Sequence, residues 1–257
     1  MNSGIGFAGP MATHTAVRKS RRFSWDQKRV LITGGSRDLG LALARQVAAR
    51  GARLAICGQT VDQLDHSVRE VRRYTRDAIG IACDMRDPNS VTRTMAEIES
   101  EFGGVDVLVN LAGINAAGPF DSITQAEFVN TMYTNCRGAF RAIQAALPLM
   151  RHQGWGRILN IASMGGQRPV PDMLPDAARE FVWFGISDSL KTKLKHENIL
   201  ISTAFLRLSR TGSLHSATFN SQHREEYAWS TIGDSLPLMS MNADEAAAQI
   251  IEACQLR

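Results

Sequence analysis

The chain has 257 residues, 44% of them hydrophobic and 21% charged, with a formal net charge of +4, the make-up of one soluble globular domain able to bury a substantial core. No apolar run approaches the eighteen or more residues of a membrane-spanning helix. The positive excess sits at one end, because Arg18, Lys19, Arg21 and Arg22 all precede the first acidic residue, Asp26; the near-neutral remainder argues against a nucleic-acid partner. Residues 1–26 are expected to be a basic, disordered arm, with a targeting peptide as the alternative and either Met1 or Met11 as the start. Residues 27–257 form the expected folded domain. The four cysteines, Cys57, Cys83, Cys136 and Cys254, are scattered without a C-x-x-C pair. That spacing argues against a metal site and a disulfide framework and suits a reducing compartment, the cytoplasm by expectation.

From Lys28 onward, short apolar runs alternate with longer amphipathic stretches. Residues 29–33 (R-V-L-I-T) read as a strand, and residues 39–50 as a helix through the spacing of Leu41, Leu43, Ala44, Val47 and Ala48. A second strand is predicted at 53–57, a helix at 62–74 and a third strand at 78–83. Asp87 and Pro88 signal the start of a helix over 90–102. A fourth strand covers 105–110. Thr124-x-x-Glu127 forms a capping box ahead of one long helix running to about 151. Strands at 157–162 and 199–205 flank a helix from about 176 to 195, and a last helix spans about 243–254. This alternation predicts βαβ units, hence an α/β domain with a doubly wound parallel sheet of the Rossmann type, covered on both faces. Such sheets bind ligands at the carboxyl ends of their strands, so the residues after each strand carry the functional information.

After the first strand comes Thr33-Gly34-Gly35-Ser36-Arg37-Asp38-Leu39-Gly40. Glycines there permit a tight turn and let backbone N–H groups approach a pyrophosphate at a helix N-terminus. The turn resembles the T-G-x-x-x-G-x-G turn of the short-chain dehydrogenases/reductases, with Asp38 in place of the middle glycine. A carboxylate there either opposes the phosphates by about 1–4 kcal/mol or caps the following helix. Asp84-Met85 resembles the family's adenine-contacting pair, and Asn110-Leu111-Ala112-Gly113 its N-N-A-G motif with leucine at the second asparagine. The resemblance extends from about Gln27 to Cys254. It implies a nicotinamide cofactor bound by Gly34, Ser36, Arg37, Leu39, Gly40, Asp84, Met85, Asn110, Ala112, Gly113 and Thr211. The second strand ends Cys57-Gly58-Gln59 without an acid for a ribose 2′-hydroxyl, and Arg37 suits a 2′-phosphate, so NADP is expected over NAD.

In the family, a serine follows the fifth strand and a Y-x-x-x-K motif lies thirteen residues on. Ser163 matches that serine, and Asn135 matches the family's helix asparagine. At the tyrosine and lysine positions stand Asp176 and Glu180, in a register supported by Gly185, Ser189 and Leu190. Hydride transfer to a carbonyl creates an alkoxide that needs a proton. A tyrosine can supply it when a neighbouring ammonium lowers its pKa, whereas an ionised aspartate only accepts hydrogen bonds. Glu180 reverses the assisting charge, and two carboxylates four apart on one helix face repel. This helix start is expected to be surface-like and non-catalytic. Leu206-Arg207 replaces the family's P-G turn ahead of Thr211, and no seventh strand follows the last helix, so a six-strand sheet with the sixth strand at an edge is expected.

Three readings follow. The first is a catalytically silent dinucleotide-fold protein, a cofactor sensor or partner subunit. The alternative is an active NADP-dependent oxidoreductase with altered proton delivery, whose carbonyl or secondary-alcohol substrate would meet residues 165–175 and 213–229. A third is a hetero-oligomeric partner that stabilises an active relative without binding cofactor. The resemblance implies homo- or hetero-oligomer surfaces at the helices over 131–150 and 176–195, and in the second Phe181, Trp183 and Phe184, which cannot all face inward on one helix, suit an interface. No nucleic acid, membrane or metal is expected.

Overall fold

The computed structural model describes residues 23–111, 113, 116–117, 119–163, 174–206, 209–210, 218–219 and 241–255. The first half alternates β1 (Arg29–Thr33), α1 (Asp38–Ala48), β2 (Arg53–Gly58), α2 (Val61–Val71), β3 (Ala78–Ala82), α3 (Pro88–Phe102) and β4 (Val107–Asn110). After β5 (Ala116–Ala117) come α4 (Gln125–Met132), a π turn (Tyr133–Arg137), α5 (Gly138–Gln153), β6 (Gly156–Ser163), α6 (Leu174–His196) and β7 (Ile199–Leu206). Short strands β8 (Ser209–Arg210), β9 (Thr218–Phe219) and β10 (Met241–Asn242) precede α7 (Ala243–Gln255).

Six strands form one sheet in the order β3-β2-β1-β4-β6-β7, and every pairing in it is parallel. This is the doubly wound arrangement, whose switch point lies between β1 and β4. Among the described residues β7 is an edge strand: β8 pairs with β10, and β5 with β9, rather than with the main sheet.

Strand alternation sorts the core onto two faces. Val30, Ile32, Leu54, Ile56, Val107 and Val109 pack with α1 and α7, whereas Leu31, Ala55, Leu108, Ile158 and Ile201 pack with α3, α5 and α6. Local signals set the helix ends. Asp87 accepts from the backbone N–H groups of Asn89 and Ser90 at 2.9 and 3.1 Å, with Pro88 opening α3, a cap worth about 1 kcal/mol. Thr124 and Glu127 close the expected capping box on α4. At the far end of the sheet Asp106 receives Arg29 in two hydrogen bonds of 3.0 and 2.5 Å, tying the start of β1 to the start of β4.

One expectation is corrected. The single helix running to about 151 is broken at Tyr133–Arg137, where one wider turn inserts into the ladder. Such bulges are rare and cluster at functional sites. Directly after this turn α5 begins pressed against the β3–α3 connection, so close that a side chain at Gly138 would stand 2.8 Å from Met85 Cβ.

Candidate active site

The phosphate turn lies at the carboxyl end of β1, beside the switch point. Gly34 takes a positive φ of 69°, and its N–H donates to the Cys57 carbonyl at 2.8 Å. A Cβ on Gly40 would stand 2.1 Å from the Gly34 carbonyl oxygen, so the start of α1 closes on the turn and only glycine fits. Asp38 takes φ of 50°, the left-handed region that favours glycine and that aspartate tolerates better than most residues. Asp38 thus holds a backbone conformation that a glycine would adopt without strain. It does not cap α1, which has no side-chain cap hydrogen bond; in a left-handed first position the carboxylate reaches Arg37 instead, at 3.4 Å. Both partners are well exposed, so the pair is worth under about 1 kcal/mol, but it offsets the charge that would face phosphates. Ser36 is buried against Gly58, and Leu39 belongs to the core.

At the end of β3, Asp84 is held by Arg86 at 2.8 Å and by Gln59 at 3.4 Å. The Arg86 guanidinium keeps the Asp84 carboxyl below the usual carboxylate range. Beside it, Cys57 and Cys83 share a thiol hydrogen bond that raises Cys57 and draws Cys83 down to about 6. At the end of β4, Leu111 N–H donates to Thr33 Oγ1 at 3.1 Å. Asn110 is buried and donates to Asn160 Oδ1 at 2.9 Å, while its own Oδ1 has no hydrogen-bond partner. Asn160 donates to Ser187 Oγ at 2.9 Å, which Thr203 also reaches at 2.8 Å. This polar chain crosses β4, β6, α6 and β7 and fixes α6 to the sheet. Sequence reading missed Asn160, Ser187 and Thr203; the lone asparagine inside the apolar run of residues 158–162 was the signal. Gly113 is exposed, whereas Ala112, Thr211 and the segments 164–173, 211–217 and 220–240 lie outside the described residues.

Ser163 ends β6 opposite Leu206 of β7, Asn135 sits in the π turn, and Asp176 lies in the first turn of α6; their side chains lie outside the described residues. Glu180 overturns the surface-like expectation. It is 1% exposed and lies 3.2 Å from the guanidinium of Arg179. A carboxylate can be buried this deeply when it is paired. Arg179, which sequence reading passed over, gives this place the cation that the anionic pair of Asp176 and Glu180 was expected to lack. The pair faces the π turn: Cys136 Sγ lies 3.9 Å from the Arg179 carbonyl. Burial pushes the Cys136 thiol up to about 11, with Arg179 opposing and Glu180 adding to the rise. One face of α6 and the π turn carries apolar surface to solvent. Phe181 and Phe184 are 57% and 52% exposed while Trp183 turns into the core. A separate open apolar groove of about 420 Å³ is lined by Phe128, Val129, Met132, Tyr133, Phe140 and Ile186, among others, while Phe184 stands against Phe205 of β7. Among the described residues, no three His, Cys, Asp or Glu side chains gather as metal ligands, and no helix is long and apolar enough to cross a membrane.

A family model described as short chain dehydrogenase matches residues 28–218. The chain belongs to the short-chain dehydrogenase family. It is 30% identical over 186 residues to the 3alpha-hydroxysteroid dehydrogenase of Mediterraneibacter gnavus, covering 72% of this chain and 74% of that one. A short-chain dehydrogenase/reductase from Burkholderia phymatum, solved with NAD, superposes with a TM-score of 0.83 at 21% identity, over 90% of this chain and 86% of that one. An actinorhodin polyketide ketoreductase, solved with NADPH, superposes with a TM-score of 0.79 at 26% identity, over 90% and 91% of the two chains. The short-chain dehydrogenase fold thus accounts for the six-stranded sheet and for the crevice at its switch point.

Proposed function

We propose that this short-chain dehydrogenase relative binds a nicotinamide dinucleotide, NADP in preference to NAD, without the family's proton transfer, and that it serves as a cofactor sensor or partner subunit. The observation that carries the reading is Glu180, a buried carboxylate already committed to Arg179 at the position where the family resemblance puts a lysine. The cofactor fits the turn on its own evidence. The Gly34–Gly40 contact leaves no room for a side chain and brings backbone N–H groups to the start of α1, the geometry that holds a pyrophosphate. When bound, the nicotinamide would supply hydride chemistry. The chain's own residues would orient it through the turn and through the strand ends at Asn110 and Ser163. Nothing at Glu180 donates a proton once its carboxylate is ionised and bound to a guanidinium. NADP is favoured because Gln59 replaces an acid at the end of β2 and Arg37 lies in the turn.

The partner role is supported by two exposed apolar surfaces of the kind that other chains cover, Phe181 and Phe184 on α6 and the groove along α4, the π turn and α5. The four cysteines are all free thiols, which suits a reducing compartment such as the cytoplasm. One observation favours the alternative, an NADP-dependent oxidoreductase acting on a carbonyl or secondary alcohol: the Arg179 guanidinium is a cation near the place where an alkoxide would form. Titration with NADPH, followed by assay across a carbonyl panel, separates the readings. Saturation without turnover is the expected result. Turnover that Asp176→Asn and Arg179→Gln each abolish would establish the enzyme instead. No saturation at millimolar NADPH would leave only a partner role without cofactor, with the oligomeric state read by light scattering.

A further inference from the structure

The ends of β2 and β3 carry three sulfur-bearing residues, of which the cofactor reading uses only Met85, beside the adenine. Cys57, Cys83 and Met85 belong to one buried cluster, in which Cys83 Sγ lies 3.7 Å from Met85 Sδ. All three residues are at most 7% exposed. The parallel register sets Cys57 opposite Ile81, and Cys83 N–H donates to the Gly58 carbonyl at 2.9 Å, so the two cysteines are diagonal neighbours on one face of the sheet. Diagonal neighbours have Cα atoms about 7–8 Å apart, beyond the range of about 4.4–6.8 Å that a disulfide spans. A bridging ion asks less of the backbone. Metal–thiolate bonds of about 2.3 Å in a trigonal plane hold sulfurs about 4 Å apart, close to the separation of Cys83 and Met85. The one carboxylate adjacent in sequence, Asp84, is taken by Arg86. Two thiols and a thioether, without imidazole or free carboxylate, suit a soft ion rather than zinc, magnesium or calcium.

We propose that Cys57, Cys83 and Met85 form a three-coordinate site for Cu(I), and that filling it opposes nicotinamide-cofactor binding. The binding step involves no oxidation: one Cu(I) displaces the two thiol protons, which leave to solvent, and forms two Cu–thiolate bonds and one Cu–thioether bond, with a net charge of −1 on the site. The ion enters where Asp84, partly exposed, opens the connection between β3 and α3. The coupling follows from position. Asp84 lies between two of the ligands, and the Cys57 carbonyl holds the Gly34 N–H of the phosphate turn. This second half rests on the cofactor reading; the first does not.

The test is anaerobic titration of the cofactor-free protein with Cu(I) buffered by bicinchoninate. One Cu(I) is expected to be retained per chain, with three sulfur neighbours by X-ray absorption. Cys83→Ser abolishes retention, Met85→Leu leaves two sulfurs and weakens retention at least tenfold, and a Cys136→Ser/Cys254→Ser double variant retains the ion. Failure to compete with the chelator, or retention unchanged in Cys83→Ser, overturns the site. If Cys83→Ser does not fold, the sulfur count in wild type and Met85→Leu decides alone, and two sulfurs in both overturns it. The NADPH dissociation constant is expected to rise at least tenfold in the copper-loaded protein and to recover when the ion is stripped. An unchanged constant overturns the coupling, whereas no NADPH binding by the metal-free protein overturns the cofactor reading and leaves the site to be judged by retention.

Discussion

The phosphate turn and the start of α6 each carry a departure from the family resemblance read in the sequence, and the two departures differ in kind. In the turn, the departure at Asp38 conserves the backbone: aspartate adopts the left-handed conformation that a glycine would take, and its charge finds Arg37. In α6, the departure at Glu180 reverses a side-chain charge and locks the new one into a buried pair with Arg179. The difference shows that a site read by backbone N–H groups tolerates a changed residue as long as its φ and ψ survive. A site read by one ionisable side chain does not. On the function proposed above, binding and chemistry therefore part company on one scaffold.

That contrast can be broken by experiment, beginning where the effect is largest. Gly40→Ala drives a methyl group into the turn's own backbone, so isothermal titration is expected to show no NADPH saturation where the parent saturates; retained affinity would mean that the turn does not hold the cofactor. Glu180→Ala leaves Arg179 without its buried carboxylate. The expected cost is about 3–5 kcal/mol, a fall of roughly 10 °C in Tm, with NADPH affinity nearly unchanged. A loss below about 1 kcal/mol would show the pair to be peripheral. Restoring the family's residues then needs three substitutions, because Glu180→Lys alone sets an ammonium beside the buried guanidinium. Asp176→Tyr/Glu180→Lys/Arg179→Gln should gain carbonyl reductase activity, and general-acid catalysis sets its scale at about 10²–10⁴-fold.

Smaller effects sharpen the same contrast. Asn160→Leu removes the link between Asn110 and Ser187 and strands the buried Asn110 amide, while Ser187 keeps Thr203, at about 1–3 kcal/mol in chemical denaturation. Asp38→Gly removes a carboxylate near the phosphates and should tighten NADPH up to about tenfold at low salt, an effect that fades as ionic strength rises. A last effect is one of pH. Burial raises Cys136 and Cys254 from an ordinary value of 9.0 to about 11. The folded chain keeps those protons while the unfolded chain loses them, so stability falls as pH climbs from about 9 toward 11. Denaturant midpoints at pH 8 and 10.5 measure the decline, and a Cys136→Ser/Cys254→Ser variant should flatten it.

Most of the architecture was legible because its causes are local. The apolar runs at Arg29–Thr33 and Arg53–Gly58, the cap at Asp87 and the Thr124–Glu127 box each act within a few residues, and each sits where the sequence places it. The candidate site was legible only where it is local too. Asp38 could be recognised as the odd residue of the turn, but its partner and its backbone conformation come from the folded turn. The burial of Glu180 depends on how α6 meets the π turn, which no helical periodicity encodes. The sulfur cluster was invisible for the same reason, since Cys57 and Cys83 meet only through the register of two strands.

The π turn at Tyr133–Arg137 amounts to a one-residue insertion, and α4 and α5 keep their present phase only because of it. Each helical residue turns the chain by about 100°. Deleting any one residue there would let a continuous helix form and swing Phe128 and Val129 of α4 about a quarter-turn away from Phe140 of α5. The apolar groove and the approach of Cys136 to α6 would be lost together, although every side chain concerned but one would still be present.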